Sequence, residues 1–214
     1  MSPLPAFASY DGHFVTDYLA VGACPGRSDG GASGDLPAVH AAEIAEAGIR
    51  GIVHVASYAR RIGVAYVHHL PEHVQWLQVG FWDGYLNPGP SVLSPLTPAF
   101  ARMLVQRGAM MLRDHSPVLV HCMGGVGRSG NVAALLLAAR EQIEIDDAIA
   151  RVQAARPCCS AFNRASFWRD VDVDELLELA RTVLDEPVTD DETFAERVRG
   201  DLSVEANQQM IRRA

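Results

Sequence analysis

Between Val118 and Gly130 the chain reads Val-Leu-Val-His-Cys-Met-Gly-Gly-Val-Gly-Arg-Ser-Gly. Cys122 and Arg128 stand on either side of five residues, three of them glycine. An apolar, β-branched run enters this stretch and an Ala/Leu-rich run, Asn131 to Arg140, leaves it. That order predicts a strand, a tight loop and a helix N-terminus, an arrangement that builds anion sites from backbone alone. The amides of Met123, Gly124, Gly125, Val126 and Gly127 can converge on an oxyanion, because glycine lets the chain turn inward without a Cβ clash. The helix dipole adds about half a positive charge at the same point. A thiol placed there is favoured as thiolate, the form that acts as a nucleophile. Arg128 can clamp two oxygens of a phosphoryl group with its planar fork. Ser129 is placed to hydrogen-bond the sulfur and ease its departure from a covalent intermediate.

His121-Cys122-Met123-Gly124-Gly125-Val126-Gly127-Arg128-Ser129 resembles the signature loop, His-Cys-x-x-Gly-x-x-Arg-Ser, of the cysteine-dependent protein tyrosine and dual-specificity phosphatases. The resemblance implies an α/β fold of that type, with a small, mostly parallel sheet flanked by helices. It implies Cys122 as nucleophile, Arg128 as phosphoryl clamp, residues 123–127 as phosphate-binding backbone and His121 as structural support of the loop. No cofactor or metal is expected, since loop amides and Arg128 supply the charge stabilisation. The family carries its general acid on a loop upstream of the nucleophile, often as Trp-Pro-Asp. This chain has Trp82-Asp83 without the proline, so Asp83 matches by position rather than by letter. Arg156-Pro157 is followed by a short loop in which Asn163 either positions the hydrolytic water or, the stronger reading, caps the last helix.

Placing Asp83 and Cys122 together requires a parallel sheet. Ligand sites in open α/β sheets lie outside the carboxyl ends of the strands. Val74 to Phe81 reads as a strand running into Trp82-Asp83, just as Val118 to His121 runs into Cys122. Glu72 precedes its strand, and Asp114 sits at the amino end of the cysteine strand, so neither competes well as the acid. Gly51 to Ala56 reads as a buried parallel strand by its β-branched content. Phe14 to Gly22 suggests a strand or hairpin. Helices are expected after Asp35 as far as Gly48, from Pro98 behind Thr97 to about Arg113, over Asn131 to Arg140, after a cap at Asp146, and from about Asn163 toward Leu184. Segment 57–72 reads as a polar loop. Its His69-x-x-Glu72-His73 matches a zinc-peptidase pattern formally, but Pro71 would break the helix such a site needs.

The net charge of −8 argues against a nucleic-acid partner. All 18 basic residues are arginine. No stretch approaches the roughly 20 apolar residues that span a membrane, and Met1 to Tyr18 lacks the basic start and apolar core of a secretory signal. Four cysteines could form disulfides, but a reactive thiolate suits a reducing, cytoplasmic compartment better. The expected organisation is a phosphatase domain over residues 1–186 and an acidic C-terminal tail over 187–214. Asp185 to Ala214 carries eight acids against four arginines.

The expected function is hydrolysis of phosphotyrosine, with phosphoserine and phosphothreonine as a further substrate class, in a phosphorylated protein or peptide. A phosphoinositide or other small phosphate-monoester phosphatase is the nearest alternative, although its substrates usually draw further cations into the loop. A rhodanese-type sulfurtransferase also uses a cysteine in an anion loop and would turn over thiosulfate. The sequence does not fix the oligomeric state.

Overall fold

A computed structural model describes residues 7, 9–26, 35–55, 65–79, 98–158, 168 and 171–187 of the 214. Among these residues five strands form one mixed sheet. They are β1 (Gly12–Phe14), β2 (Leu19–Gly22), β3 (Gly51–His54), β4 (Gln75–Gln78) and β5 (Val118–His121), in the order β1-β2-β5-β3-β4. Among these strands only the β1–β2 hairpin is antiparallel; β2–β5, β5–β3 and β3–β4 are all parallel. The helices are α1 (Leu36–Glu46), α2 (Pro98–Asp114), α3 (Arg128–Glu141), α4 (Ile145–Ala155) and α5 (Val173–Asp185), with a 3-10 turn at Ala65–His69. This is the expected mostly parallel α/β fold.

The central strands β2, β3 and β5 are buried along their whole length, as parallel strands covered on both faces must be. Alternate residues go to opposite faces. Leu19, Val21, Val53, Val118 and Val120 join α2 to α5 in the larger core. Ala20, Ile52 and Leu119 pack with Ala41 and Ile44 of α1 and with Tyr66 in a smaller one. Helix α3 is apolar on every side and is buried from Arg128 to Ala139, which makes it the central helix.

Several boundaries differ from the sequence reading. Helix α3 starts at Arg128, three residues early, so the arginine belongs to the helix rather than to the loop before it. Asp146 does not cap α4; Glu144 precedes the helix, and Asp146 sits in its first turn, where its charge complements the dipole. Trp168, Val171 and Asp172 are not helical. Helix α5 starts at Val173, and Asp172 caps it by accepting from the amides of Asp174 and Glu175 at 3.0 and 3.2 Å. The strand expected over 74–81 is the short edge strand β4 in its described part. Of segment 57–72, the described residues hold the 3-10 turn, with His68, His69, Glu72 and His73 exposed around it.

Candidate active site

Strand β5 ends at His121 and α3 begins at Arg128, so residues 122–127 form the loop between them. Its shape follows from Gly125, which has φ +66°. A Cβ there would also lie 2.6 Å from the Ala23 nitrogen and from the Gly22 carbonyl group. Only glycine meets both demands, because L-residues avoid that φ and the approach of β2's end leaves no room for a side chain. The Cys24 amide then donates to the Met123 carbonyl at 3.1 Å, tying the chain beyond β2 to the start of the loop.

Arg156, at the C-terminal end of α4, holds the loop from behind. Its side chain is 1% exposed. Nη1 donates to the Gly125 carbonyl, and Nη2 donates to the Gly124 carbonyl at 3.4 Å and to a carboxylate oxygen of Asp11. In a trans peptide the N–H opposes the C=O. Carbonyls of Gly124 and Gly125 drawn toward Arg156 therefore turn the amides of Gly125 and Val126 away from it. The side of the loop opposite Arg156 thus gains donors, as an anion cradle requires.

Cys122 is buried, with Sγ 3.3 Å from the Ser129 Oγ. Ser129 lies in the first turn of α3 and is fully buried. Arg128 is 7% exposed, and its charge acts on His54. Of the loop residues, Gly125 is buried and Gly124 exposed, with Met123, Val126 and Gly127 half-buried. His121 is buried with Nδ1 3.3 Å from the Cys122 carbonyl and Nε2 2.7 Å from the Tyr66 hydroxyl. Its ring sits against that of His54, centroids 4.3 Å apart. Burial, with the charge of Arg128, lowers the His54 pKa to about 4. Burial, with His54 beside it, holds His121 well below the usual imidazole value. Both rings are neutral at physiological pH.

The structure therefore brings Cys122, Ser129, Arg128 and His121 to one place. Asp83 and Asn163 lie outside the described residues. Of the rival acids, Asp114 is bound on both carboxylate oxygens by Arg113, at 2.6 and 2.9 Å, before the amino end of β5. Glu72 is exposed in the turn ahead of β4. Sequence reasoning took Arg156 only as a helix end before proline and gave Asp11 and His54 no role. One signal for His54 was present: Gly-Ile-Val-His of β3 and Val-Leu-Val-His of β5 end in histidine at the same register.

A thiol at the mouth of a parallel sheet, in a glycine loop capped by a helix that opens with arginine, marks a cysteine-based phosphatase of the protein tyrosine and dual-specificity class. Within that class the chain belongs to the family described as Swiss Army Knife protein, DSP-PTPase phosphatase domain (PTP-SAK), whose model matches residues 33–173. No curated protein matches the chain in sequence. Among solved structures it is similar to human DUSP28, with a TM-score of 0.53, 20% identity, and coverage of 83% of this chain and 97% of that one. It is also similar to TpbA of P. aeruginosa, with a TM-score of 0.53, 18% identity, and coverage of 86% and 99%. At such identities the likeness shows the shared fold. Among the described residues no helix is long and apolar enough to cross a membrane.

Proposed function

We propose that this phosphatase domain hydrolyses phosphotyrosine, and phosphoserine or phosphothreonine in the same pocket, through a phosphocysteine intermediate and without a metal in the reaction. The observation that carries the reading is the Cys122 sulfur set 3.3 Å from the Ser129 hydroxyl, in a loop whose carbonyls Arg156 draws to the back. The Cys122 thiolate attacks phosphorus, and the bond from phosphorus to the leaving oxygen breaks as Asp83 gives that oxygen its proton. Water then attacks the phosphocysteine, Asp83 takes the proton, and the sulfur leaves as thiolate with a hydrogen bond from Ser129. Asn163 is a candidate to orient that water. The loop amides and Arg128 hold the phosphoryl oxygens throughout. Residues 123–127 carry no cationic side chain, which disfavours polyanionic phosphoinositides. The proposed domain spans residues 1–186 and acts in a reducing, cytoplasmic setting, with 187–214 as an acidic tail.

The test is a substrate panel assayed with chelator present: phosphotyrosine, phosphoserine and phosphothreonine peptides, a phosphoinositide, and thiosulfate. Phosphotyrosine peptides should be turned over best. Exclusive turnover of the phosphoinositide or of thiosulfate overturns the reading. Asp83→Asn separates the acid from an ordinary turn residue. Its loss should be small on an activated aryl phosphate and about 10²–10⁴-fold on phosphotyrosine peptides. An equal loss on both substrates would remove Asp83 from the mechanism.

A further inference from the structure

Beneath the catalytic loop lies a second cluster that the hydrolysis does not use. His54 ends β3 and His121 ends β5, and the two are register partners in adjacent parallel strands. Cys24 follows β2, whose Gly22 pairs with His121 on the other side. One ligand atom from each of Cys24, His54 and His121 lies within 4.8 Å of the other two. Their exposures are 1%, 0% and 0%. Neither ring nitrogen of His54 has a hydrogen-bond partner. Buried polar groups are almost always satisfied, and one that is not, beside other ligating side chains, has an unseen ion as one physical explanation. His54 therefore presents an unused lone pair inside a Cys/His cluster.

We propose that Cys24, His54 and His121 form a binding site for one thiophilic d10 cation, zinc(II) or copper(I). One thiolate and two imidazoles are the donor set both ions favour. Tetrahedral zinc, with bonds of about 2.0–2.1 Å to nitrogen and 2.3 Å to sulfur, sets its donors about 3.3–3.7 Å apart. The cluster reaches that spacing by closing about 1 Å at its widest. The strand ends fix where the imidazoles start from, and side-chain torsions supply the rest. His121 Nδ1 faces the Cys122 carbonyl at 3.3 Å, the contact that leaves Nε2 as the metal-binding nitrogen. The Tyr66 hydroxyl, 2.7 Å from that Nε2 and fully buried, gives up its hydrogen bond to Nε2 as the metal takes that lone pair, and its oxygen then supplies the fourth position or its O–H turns to the Cys24 sulfur. Both imidazoles enter neutral. The Cys24 thiol, 3.7 Å from the Pro25 carbonyl, releases its proton to solvent as the metal–sulfur bond forms. The ion would touch no substrate. It would pin the end of β5 from which Cys122 projects, so loading would stiffen the loop without joining the reaction.

Metal content tests this directly. The full-length protein is refolded with zinc, with copper(I) under reductant, or with neither. It is then passed through a chelating column and measured by elemental analysis, while a pH indicator reports proton release. One equivalent should be retained with one of the two ions, with about one proton released per ion. Cobalt(II) loading should give a sulfur-to-metal charge-transfer band. Cys24→Ser and His54→Ala should each cut retention at least tenfold, and His54→Asn repeats the test in a milder variant if the alanine protein does not fold. A variant lacking the exposed His68, His69 and His73 should retain the full equivalent. Retention below a tenth of an equivalent for both ions overturns the proposal. So does retention that survives Cys24→Ser and His54→Asn, or that is lost with Cys122→Ser alone, which would place the metal on the catalytic thiol.

Discussion

The two ends of β3 and β5 belong to the same strands and have opposite characters. At the amino ends the charged pair and the strand-end carbonyl are engaged within the protein. The Pro117 carbonyl accepts from the amides of Arg50 and Gly51 at 2.9 and 3.2 Å. Arg113, whose side chain is 3% exposed, grips Asp114 and reaches the Val183 carbonyl at 3.0 Å and Glu186 at 3.2 Å, fastening α2 to α5. Gly51 is packed so closely that a Cβ would come within 2.9 Å of the Met111 sulfur and 3.0 Å of the His115 carbonyl. At the carboxyl ends, a few residues along, the buried groups are Cys24, His54, His121, Cys122, Arg128 and Ser129, and some have capacity to spare. One end holds the sheet together. The other holds a buried imidazole, His54, with neither ring nitrogen hydrogen-bonded. Burial alone does not separate structural from functional polar groups.

That contrast can be broken at the carboxyl end first. Cys122→Ser should take turnover below detection while inorganic phosphate still binds within severalfold of wild type by calorimetry, because the loop amides and Arg128 that hold it do not depend on sulfur. Measurable hydrolysis by that variant, free of contaminating wild type, would remove the covalent step. Arg128→Lys should be nearly as severe, with more than a tenfold loss in kcat/KM, since an ammonium cannot make the bidentate contact. Arg156→Met reaches the site only through the loop, as a positioning change. Releasing the Gly124 and Gly125 carbonyls should cost about 10²-fold in kcat, the scale of a lost oxyanion donor, with KM for an aryl phosphate rising alongside it. Unchanged kcat in a folded Arg156→Met protein would mean the loop holds its shape unaided.

At the amino end the expectation reverses. Gly51→Ala should lower stability by about 1–3 kcal/mol, as overpacking does, and leave kcat/KM per folded molecule within twofold. Thermal melts and active-site titration together would show it. The smallest effect is at Asp11. Burial raises its carboxyl pKa somewhat, but hydrogen bonding to Arg156, with that charge and His13 nearby, holds it below the ordinary carboxylate value. Its folded pKa is depressed, so the associated stability is present above the unfolded pKa and fades as pH falls through the folded one. Asp11→Asn should therefore flatten the acid side of the stability curve by a modest amount, as Asp11 is half exposed. Urea midpoints compared at acid and neutral pH would reveal an unaltered slope if the pair contributes nothing.

Much of this is legible in the sequence. Strand β5, the loop and α3 announce themselves because a fully buried strand reads as an unbroken apolar run and glycines cluster where the backbone must turn. The mostly parallel sheet was implied by the family resemblance, and the shared texture of β3 and β5 agreed with it. Arg156 was hidden because its partners, the Gly124 and Gly125 carbonyls and Asp11, are backbone or more than a hundred residues away. Nothing in local sequence marks a carbonyl that needs a donor. His54 was hidden for a related reason, since its meaning lies in its register with His121, and register is a property of the sheet. The α4 cap was misplaced because Asp146 is a good capping residue that here sits two positions inside the helix, where the dipole also favours it.

Strand β5 lies between β2 and β3 in the sheet, yet it follows both of them in the chain. On the ribosome, β2 is complete at Gly22 and β3 at His54, and each waits with an open edge until residues 118–121 emerge. Parallel pairing across such separations is slow to form, and an unpaired strand edge invites the wrong partner while it waits. The strand that delivers Cys122 is therefore also the last piece to close the sheet. Backbone protection in β2 and β3 should rise in one step, when this strand slides between its two older neighbours, and activity should follow only once Arg128, Ser129 and Arg156 have emerged behind it.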